Sequence, residues 1–144
     1  MLLKLINMEY LHHHQWLHIL VAAIAYFALG AIWYTVLFGK QWMHLNAIDM
    51  SNPNNQKGVP ALYFKSFVCM FIATVGIDAL LQHLQIANWQ MGLKLGLAIG
   101  LFFATTAISI NYVYTRKPIM LYIIDCLYQT IGLGIAGAIL AAWK

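Results

Sequence analysis

The sequence predicts an all-α polytopic membrane protein in which four transmembrane helices form a bundle. Two observations predict this class. Charged residues make up 8% of the chain and hydrophobic residues 62%, whereas a soluble domain carries about 25% charged residues. The apolar residues also gather into four runs, each long enough to cross about 30 Å of hydrocarbon. We therefore expect a single domain of 144 residues with the lipid bilayer as its solvent.

The predicted spans are about 16–38, 61–84, 91–114 and 118–143, with a polar loop at 39–60. Each run is predicted to be a helix, because backbone polar groups in lipid need partners within their own segment and strand-like alternation is missing. An even number of crossings places both termini on the same side. The first run is too long for the core of a secretory signal, so we interpret it as a retained span.

Tryptophan positions support these boundaries. An amphipathic indole ring favours the interface between lipid and water. The tryptophans lie at or near predicted span ends, at Trp16, Trp33, Trp42, Trp89 and Trp143.

Basic residues are distributed unevenly between the two sides of the predicted bundle. Loop 39–60, turn 115–118 and the start of the second span hold Lys40, Lys57, Lys65, Arg116 and Lys117, and the opposite side holds Lys4, Lys94 and Lys144. The positive-inside rule then predicts that loop 39–60 and turn 115–118 are cytoplasmic and both termini external.

Small residues predict a packing face. Gly92, Gly96 and Gly100 recur every fourth residue along the third span, and such stripes let helix backbones approach closely in lipid. The first span has a similar small-residue character around Gly30. We expect the third-span stripe to assemble a homo-oligomer or to dock the chain as a subunit of a membrane complex. Three further glycines, Gly132, Gly134 and Gly137, match a dinucleotide-binding spacing, but the strand that such a site requires is missing.

Asp125 is the only formally charged residue between Pro118 and Trp143. An unpaired carboxylate in hydrocarbon is costly, so something must compensate it. Helical spacing places Gln129 on its face and Tyr128 beside it. The other spans supply polar or aromatic groups at comparable depth, namely Trp33, Tyr34, Lys65, Asn111 and Tyr112. We expect an intramembrane polar cluster in which Asp125 pairs with Lys65 or accepts hydrogen bonds from Tyr34, Asn111 or Tyr112.

Other ligand classes are not expected. The basic residues are scattered, so the footprint of a nucleic-acid-binding protein is absent, and no cofactor motif is present. Several histidines gather near the predicted external interface, at His12, His13, His14, His18 and His83. No Cys, Asp or Glu completes a metal-ligand spacing with them, so we expect solvated side chains and no metal site. The sequence assigns no role to Asp78.

Four short motifs carry a resemblance to a known family. They are Gly30-x-x-Trp33-Tyr34, Phe38-Gly39-Lys40-x-Trp42, Asn111-Tyr112 and Asp125-x-x-Tyr128-Gln129. Over the first span and the last two, the chain resembles the domain of unknown function (DUF) 1761 family of small bacterial membrane proteins. The resemblance implies a four-helix protein of the bacterial inner membrane and implies no activity. Neither Asp78 nor the histidines belong to the pattern.

Two hypotheses about function follow. The first is a structural or interaction bundle, held by glycine packing and the polar cluster, that serves as a homo-oligomer or an accessory subunit. The alternative is an oligomeric channel or transporter for a small ion or solute, with Asp125 as a proton or cation site. We do not expect an enzyme, because the one strong intramembrane carboxylate has no paired acid and no His/Ser or His/Cys arrangement accompanies it.

Overall fold

The computed structural model describes residues 16–144, and these are helical with short connections. Helical segments run Trp16–Ile32, Trp33–Leu37, Gly39–Leu45, Pro53–Gln56, Val59–His83, Trp89–Ile99, Gly100–Ala104, Thr105–Tyr114 and Ile119–Ala142. Two of them are π-helical turns: Trp33–Leu37 ends the first long helix, and Gly100–Ala104 lies inside the third. The prediction of an all-α protein is confirmed over the described residues.

Within residues 16–144, four continuous helices are long and apolar enough to cross a membrane. The first span is Trp16–Leu37, the second Val59–His83, the third Trp89–Tyr114 and the fourth Ile119–Ala142. Each begins and ends within two residues of the predicted boundaries. We call the end of the bundle near Leu37, Val59 and Tyr114 the loop end, and the opposite end the terminal end.

Local sequence explains where these helices begin and end. The Asn88 side chain accepts hydrogen bonds from the N–H groups of Gln90 and Met91, at 2.8 and 3.3 Å, and so caps the third span. The second span begins after Gly58, whose φ of 76° suits glycine, with Pro60 in its first turn. Pro118 precedes the fourth span and has no N–H to leave unpaired.

The fourth span is the core of the bundle. In the most apolar 18-residue stretch of this span, 56% of the residues are buried, against 11% in the corresponding stretch of the third span. The first, second and third spans all pack against it. The lipid-facing surface therefore falls mainly on the three outer helices, whose exposed side chains include Val36, Phe64 and Phe103.

The third span approaches the fourth through its glycine stripe. A Cβ atom on Gly96 would overlap the carbonyl oxygen of Leu133, and one on Gly92 would overlap the carbonyl oxygen of Gly137. At Gly100 it would lie 2.5 Å from the Cα atom of Thr130. The stripe is a packing face, but its partner is a helix of the same chain. The expectation that this stripe assembles an oligomer is therefore wrong, because its surface is already covered; an oligomer formed through another face stays a prediction.

Three further glycines, Gly30, Gly132 and Gly134, have the same use. The Tyr26 ring lies against Gly132, and the Leu97 side chain lies 2.7 Å from where a Cβ on Gly134 would stand. Gly30 is also a packing residue, as expected. A Cβ atom on Gly30 would lie 2.8 Å from the hydroxyl oxygen of Tyr128. The glycine spacing in the fourth span thus serves helix packing.

The predicted polar loop 39–60 is partly helical. Its first seven residues form the helix Gly39–Leu45, and Pro53–Gln56 forms one further turn. A Cβ on Gly39 would lie 2.7 Å from the carbonyl oxygen of Tyr34, so the chain turns tightly there and only glycine fits. The short helix contacts the fourth span instead of leaving the bundle.

An ion pair lies at the terminal end. The Lys144 ammonium stands 3.3 Å from the buried Asp78 carboxylate and also donates to the Asp78 carbonyl oxygen at 3.3 Å. Gln82 donates to the same carboxylate at 2.9 Å. Asp78 is therefore compensated where the second span meets the end of the fourth. Burial lowers the pKa of Lys144 below its usual value, and the charge of Asp78 acts in the opposite direction.

The expected histidine group lies largely outside the described residues, since His12, His13 and His14 precede Trp16. His18 stacks on Trp143 with ring centroids 4.5 Å apart, and His83 is exposed at the end of the second span. Within residues 16–144, no three His, Cys, Asp or Glu side chains stand close enough to share a metal ion. That the histidines bind no metal stays a prediction.

Candidate functional site around Asp125

Asp125 lies six residues into the fourth span, about 9 Å from its loop end at the usual rise of 1.5 Å per residue. Its side chain is buried, with 8% of the residue exposed. Burial at this depth makes the hydrogen-bond partners of the carboxylate decisive, because an uncompensated charge there is costly.

Three side chains of the described residues donate hydrogen bonds to this carboxylate. The Tyr34 hydroxyl donates to Oδ1 at 2.6 Å, and the Trp42 indole N–H donates to the same oxygen at 3.1 Å. The Tyr112 hydroxyl donates to Oδ2 at 2.5 Å. We call these four residues the Asp125 cluster. Its members come from the first span, the helix Gly39–Leu45, the third span and the fourth span, so one carboxylate connects four segments.

A π-helical turn positions Tyr34. Trp33–Leu37 takes the place of the last α-turn of the first span, and such turns often occur at functional sites. Trp33, at its start, is buried and donates its indole N–H to the carbonyl oxygen of Ile124 at 3.1 Å. That bond fixes the turn against the residue that precedes Asp125.

The second π-helical turn positions Tyr112. Tyr112 follows Gly100 by twelve residues, which places it about 120° away on an uninterrupted α-helix. The π turn Gly100–Ala104 accommodates one extra residue, worth about 100°. Tyr112 consequently returns to the face of the glycine stripe and points at the fourth span. This direction allows its hydroxyl to reach Asp125.

Aromatic rings enclose the cluster. Tyr34 packs edge to face with Trp42 and with Tyr128, at centroid distances of 5.3 and 5.0 Å, and Tyr112 packs with Tyr122 at 5.2 Å. Edge-to-face packing fixes the orientation of these rings. The Asp125 carboxylate is therefore held by rigid donors rather than by flexible chains.

A second polar contact lies one turn deeper. Gln129 accepts a hydrogen bond from the hydroxyl of Tyr26, which is buried on the first span. The Tyr128 hydroxyl lies 3.6 Å from the sulfur of Met70 on the second span. Gln129 and Tyr128 thus line the same side of the fourth span as Asp125, but neither donates to its carboxylate.

Two expected members are not in the cluster. Lys65 and Asn111 are both exposed on the outside of the bundle, and neither side chain bonds to Asp125. Of the expected alternatives, the hydrogen bonds from Tyr34 and Tyr112 are therefore present, whereas the ion pair with Lys65 and the hydrogen bond from Asn111 are wrong. The sequence indicates only the depth of both residues along a helix, and depth does not determine the direction in which a side chain points around the helix axis.

Trp42 is the member that sequence reasoning missed. Its place near a predicted span end indicates only an interfacial tryptophan. The signal that could have found it is the Phe38-Gly39-Lys40-x-Trp42 motif, in which glycine permits a tight turn and the fourth residue of the new helix points back toward the first span.

The chemistry available to the cluster is limited. All three donors are electrically neutral, and no basic side chain bonds to Asp125 within residues 16–144. The four residues include no second carboxylate and no Ser, Cys, His or Lys side chain. In the described part of the chain, every buried side-chain nitrogen and oxygen has a hydrogen-bond partner. The site can connect helices through a satisfied carboxylate, or it can exchange a proton or cation at that carboxylate.

The fold and this site define a helical bundle with four membrane-length helices and a buried carboxylate shared by several of them. The family model for a protein of unknown function, DUF1761, matches residues 17–141. The chain belongs to this family, as its motifs predicted. Comparisons with curated proteins and with solved structures give no match.

Proposed function

We propose that this protein is a non-enzymatic structural or interaction bundle of the membrane, acting as a homo-oligomer or as an accessory subunit of a larger complex. The observation that supports it is the Asp125 cluster. Three rigid, neutral donors from three other segments satisfy both carboxylate oxygens. Polar contacts of this kind commonly hold membrane helices together.

The surface of the chain also supports an interaction role. The third span is the least buried, and it exposes Leu101, Phe102 and Phe103 to its surroundings. Lipid or another subunit must cover this surface, since contiguous apolar surface of this size is not stable in water. We expect the lipid bilayer and a protein partner to share it.

A second candidate is proton or cation transport through an oligomer, with Asp125 as the ion site. One observation favours it: the donors to Asp125 are neutral, so no side chain that bonds to it in residues 16–144 balances the charge of an ionised carboxylate. A proton or a small cation could do so. One substitution, Asp125→Asn, separates the two candidates.

Asp125→Asn keeps the shape and the hydrogen-bonding capacity of the side chain but cannot ionise. Under the structural proposal, proteoliposomes containing the parent protein and the Asn variant should show equal, low proton and potassium flux. Proton flux is measured with an enclosed pH-sensitive dye under an imposed pH gradient, and potassium flux with an enclosed potassium-sensitive dye under an imposed potassium gradient. Empty liposomes are the control for both. A flux that the parent supports and the Asn variant abolishes, with the variant still folded, would establish transport and end the structural proposal.

We also propose an orientation in the bacterial inner membrane, with residues 39–60 and turn 115–118 in the cytoplasm and both termini outside. Its support is the excess of basic residues at the loop end. A cysteine placed at Asn54 in a Cys69→Ala, Cys126→Ala background should be protected from a membrane-impermeant maleimide in intact cells. It should react after the cells are permeabilised. Labelling in intact cells would show that the orientation is the opposite of the one proposed.

A further inference from the structure

A groove of about 400 Å³ lies between the second and third spans, both of which pack on the fourth. Ala73 and Gly76 form one wall, Phe103 and Ala104 the other, and Leu133 of the fourth span forms the floor. The lining is almost entirely apolar. Its volume falls in the range of ligand-binding pockets, about 300 to 1,000 Å³.

Gly76 shows that the groove is open at its centre. A Cβ atom on this residue would meet no atom within 4 Å, unlike those on the packing glycines Gly92, Gly96 and Gly100. Ala73 and Leu133 each lie fourteen residues from the loop end of their spans, about 21 Å along the helix axis. The groove therefore lies near the middle of the membrane, where the occupant must be apolar.

Polar residues stand on both walls between the groove and the loop end. On the second span, Lys65 precedes Gly76 by eleven residues, close to three full turns, and so lies on the same side of the helix. On the third span, Asn111 follows Ala104 by seven residues, again on the same side. Both are exposed, and neither side chain has a hydrogen bond or ion pair within residues 16–144.

We propose that this groove binds a phospholipid with an anionic headgroup, its acyl chain along Ala73, Gly76 and Phe103 and its phosphate at Lys65 and Asn111. Lys65 lies six residues into its span, about 9 Å from the loop end. A cation at that depth favours an anionic partner, and the Asn111 amide supplies a neutral donor for a phosphate oxygen. Basic positions between membrane helices are known to bind anionic headgroups.

A second copy of the chain fits the groove less well. Asp78 and Asp125 are buried, and the remaining acidic residue in the described part of the chain, Asp49, lies in the loop. A helix from another copy would cover Lys65 without offering these carboxylates to it. A phospholipid satisfies both the apolar groove and the charge, and this assignment stands independently of the proposed function.

The test uses native mass spectrometry of the protein released from nanodiscs of equal parts phosphatidylglycerol and phosphatidylcholine. We expect the parent to retain phosphatidylglycerol over phosphatidylcholine by about fivefold, the factor that corresponds to about 1 kcal/mol for one lysine near the membrane surface. Lys65→Gln should bring the ratio to about one, since it removes the cation and little else. Gly76→Leu fills the groove and should abolish retention of both lipids.

Matched controls locate the effect. Lys94→Gln removes an exposed lysine from the opposite end of the third span, and Ala28→Leu adds bulk at an exposed position of the first span. Both should retain lipid as the parent does. An unchanged ratio in Lys65→Gln overturns the headgroup assignment, and unchanged retention in Gly76→Leu overturns the groove. A lipid-free dimer that Gly76→Leu dissociates would assign the groove to a second copy and also overturn the proposal.

Discussion

Replacing Gly96 with leucine is expected to cost at least about 3 kcal/mol of stability, the upper end of the usual cost of overpacking. A side chain at this position must displace the carbonyl oxygen of Leu133 and the Cα atom of Gly134. Both are backbone atoms of a helix, so they cannot rotate away. The third and fourth spans must separate along the glycine stripe, and every close contact between them weakens together.

Gly76→Leu is the matched control for this effect. It makes the same substitution inside a helix of the same bundle, but at a glycine that faces open space. We expect Gly76→Leu to unfold with the parent or slightly above it, because leucine favours helix over glycine by roughly 0.5 to 1 kcal/mol. Both variants would be unfolded by sodium dodecyl sulfate in mixed micelles and followed by helical circular dichroism. Equal midpoints for Gly96→Leu and the parent would contradict the packing of the third span on the fourth.

The sequence predicts the spans well because the bilayer imposes a single strong constraint on them. A helix must cross about 30 Å of hydrocarbon with apolar side chains, so composition and length alone locate its ends. Asn88 and Pro118 then sharpen two of the boundaries through capping and through the missing N–H of proline. Helix packing is less accessible, because the glycine stripe indicates a close approach without indicating which helix approaches.

The Asp125 cluster illustrates the same limit within one site. Tyr34 and Tyr112 were expected to be near Asp125, and both donate to it. Lys65 and Asn111 lie at a similar depth in the membrane, which is the same reason for expecting them near Asp125, yet both are exposed and point outward. What separates the two groups is rotation about each helix axis. In the third span that rotation depends on the π turn Gly100–Ala104, which hydrophobic periodicity does not reveal.

The largest polar effect in the bundle is expected at Asp125 itself. Asp125→Leu removes the acceptor for three donors at once and leaves the Tyr34 and Tyr112 hydroxyls and the Trp42 indole N–H without their partner. Hydrogen bonds between membrane helices average about 0.6 kcal/mol, so the loss of three predicts a destabilisation of about 2 kcal/mol. Asp125→Asn should be nearly silent for stability. Its carbonyl oxygen still accepts from Tyr34 and Trp42, and its amide can donate to the Tyr112 oxygen.

Single-partner variants divide this effect among the donors. Tyr34→Phe and Tyr112→Phe each delete one hydroxyl and keep the ring, so each should cost about 0.6 kcal/mol, well below the cost of Asp125→Leu. Tyr114→Phe is the matched control, because Tyr114 is the most exposed tyrosine of the same helix end, at 84%, and should be silent. Unfolding midpoints in one lipid composition provide the measurement. If Asp125→Leu is as stable as the parent, the carboxylate does not hold the helices together, and its burial must then be explained by a function that uses its charge.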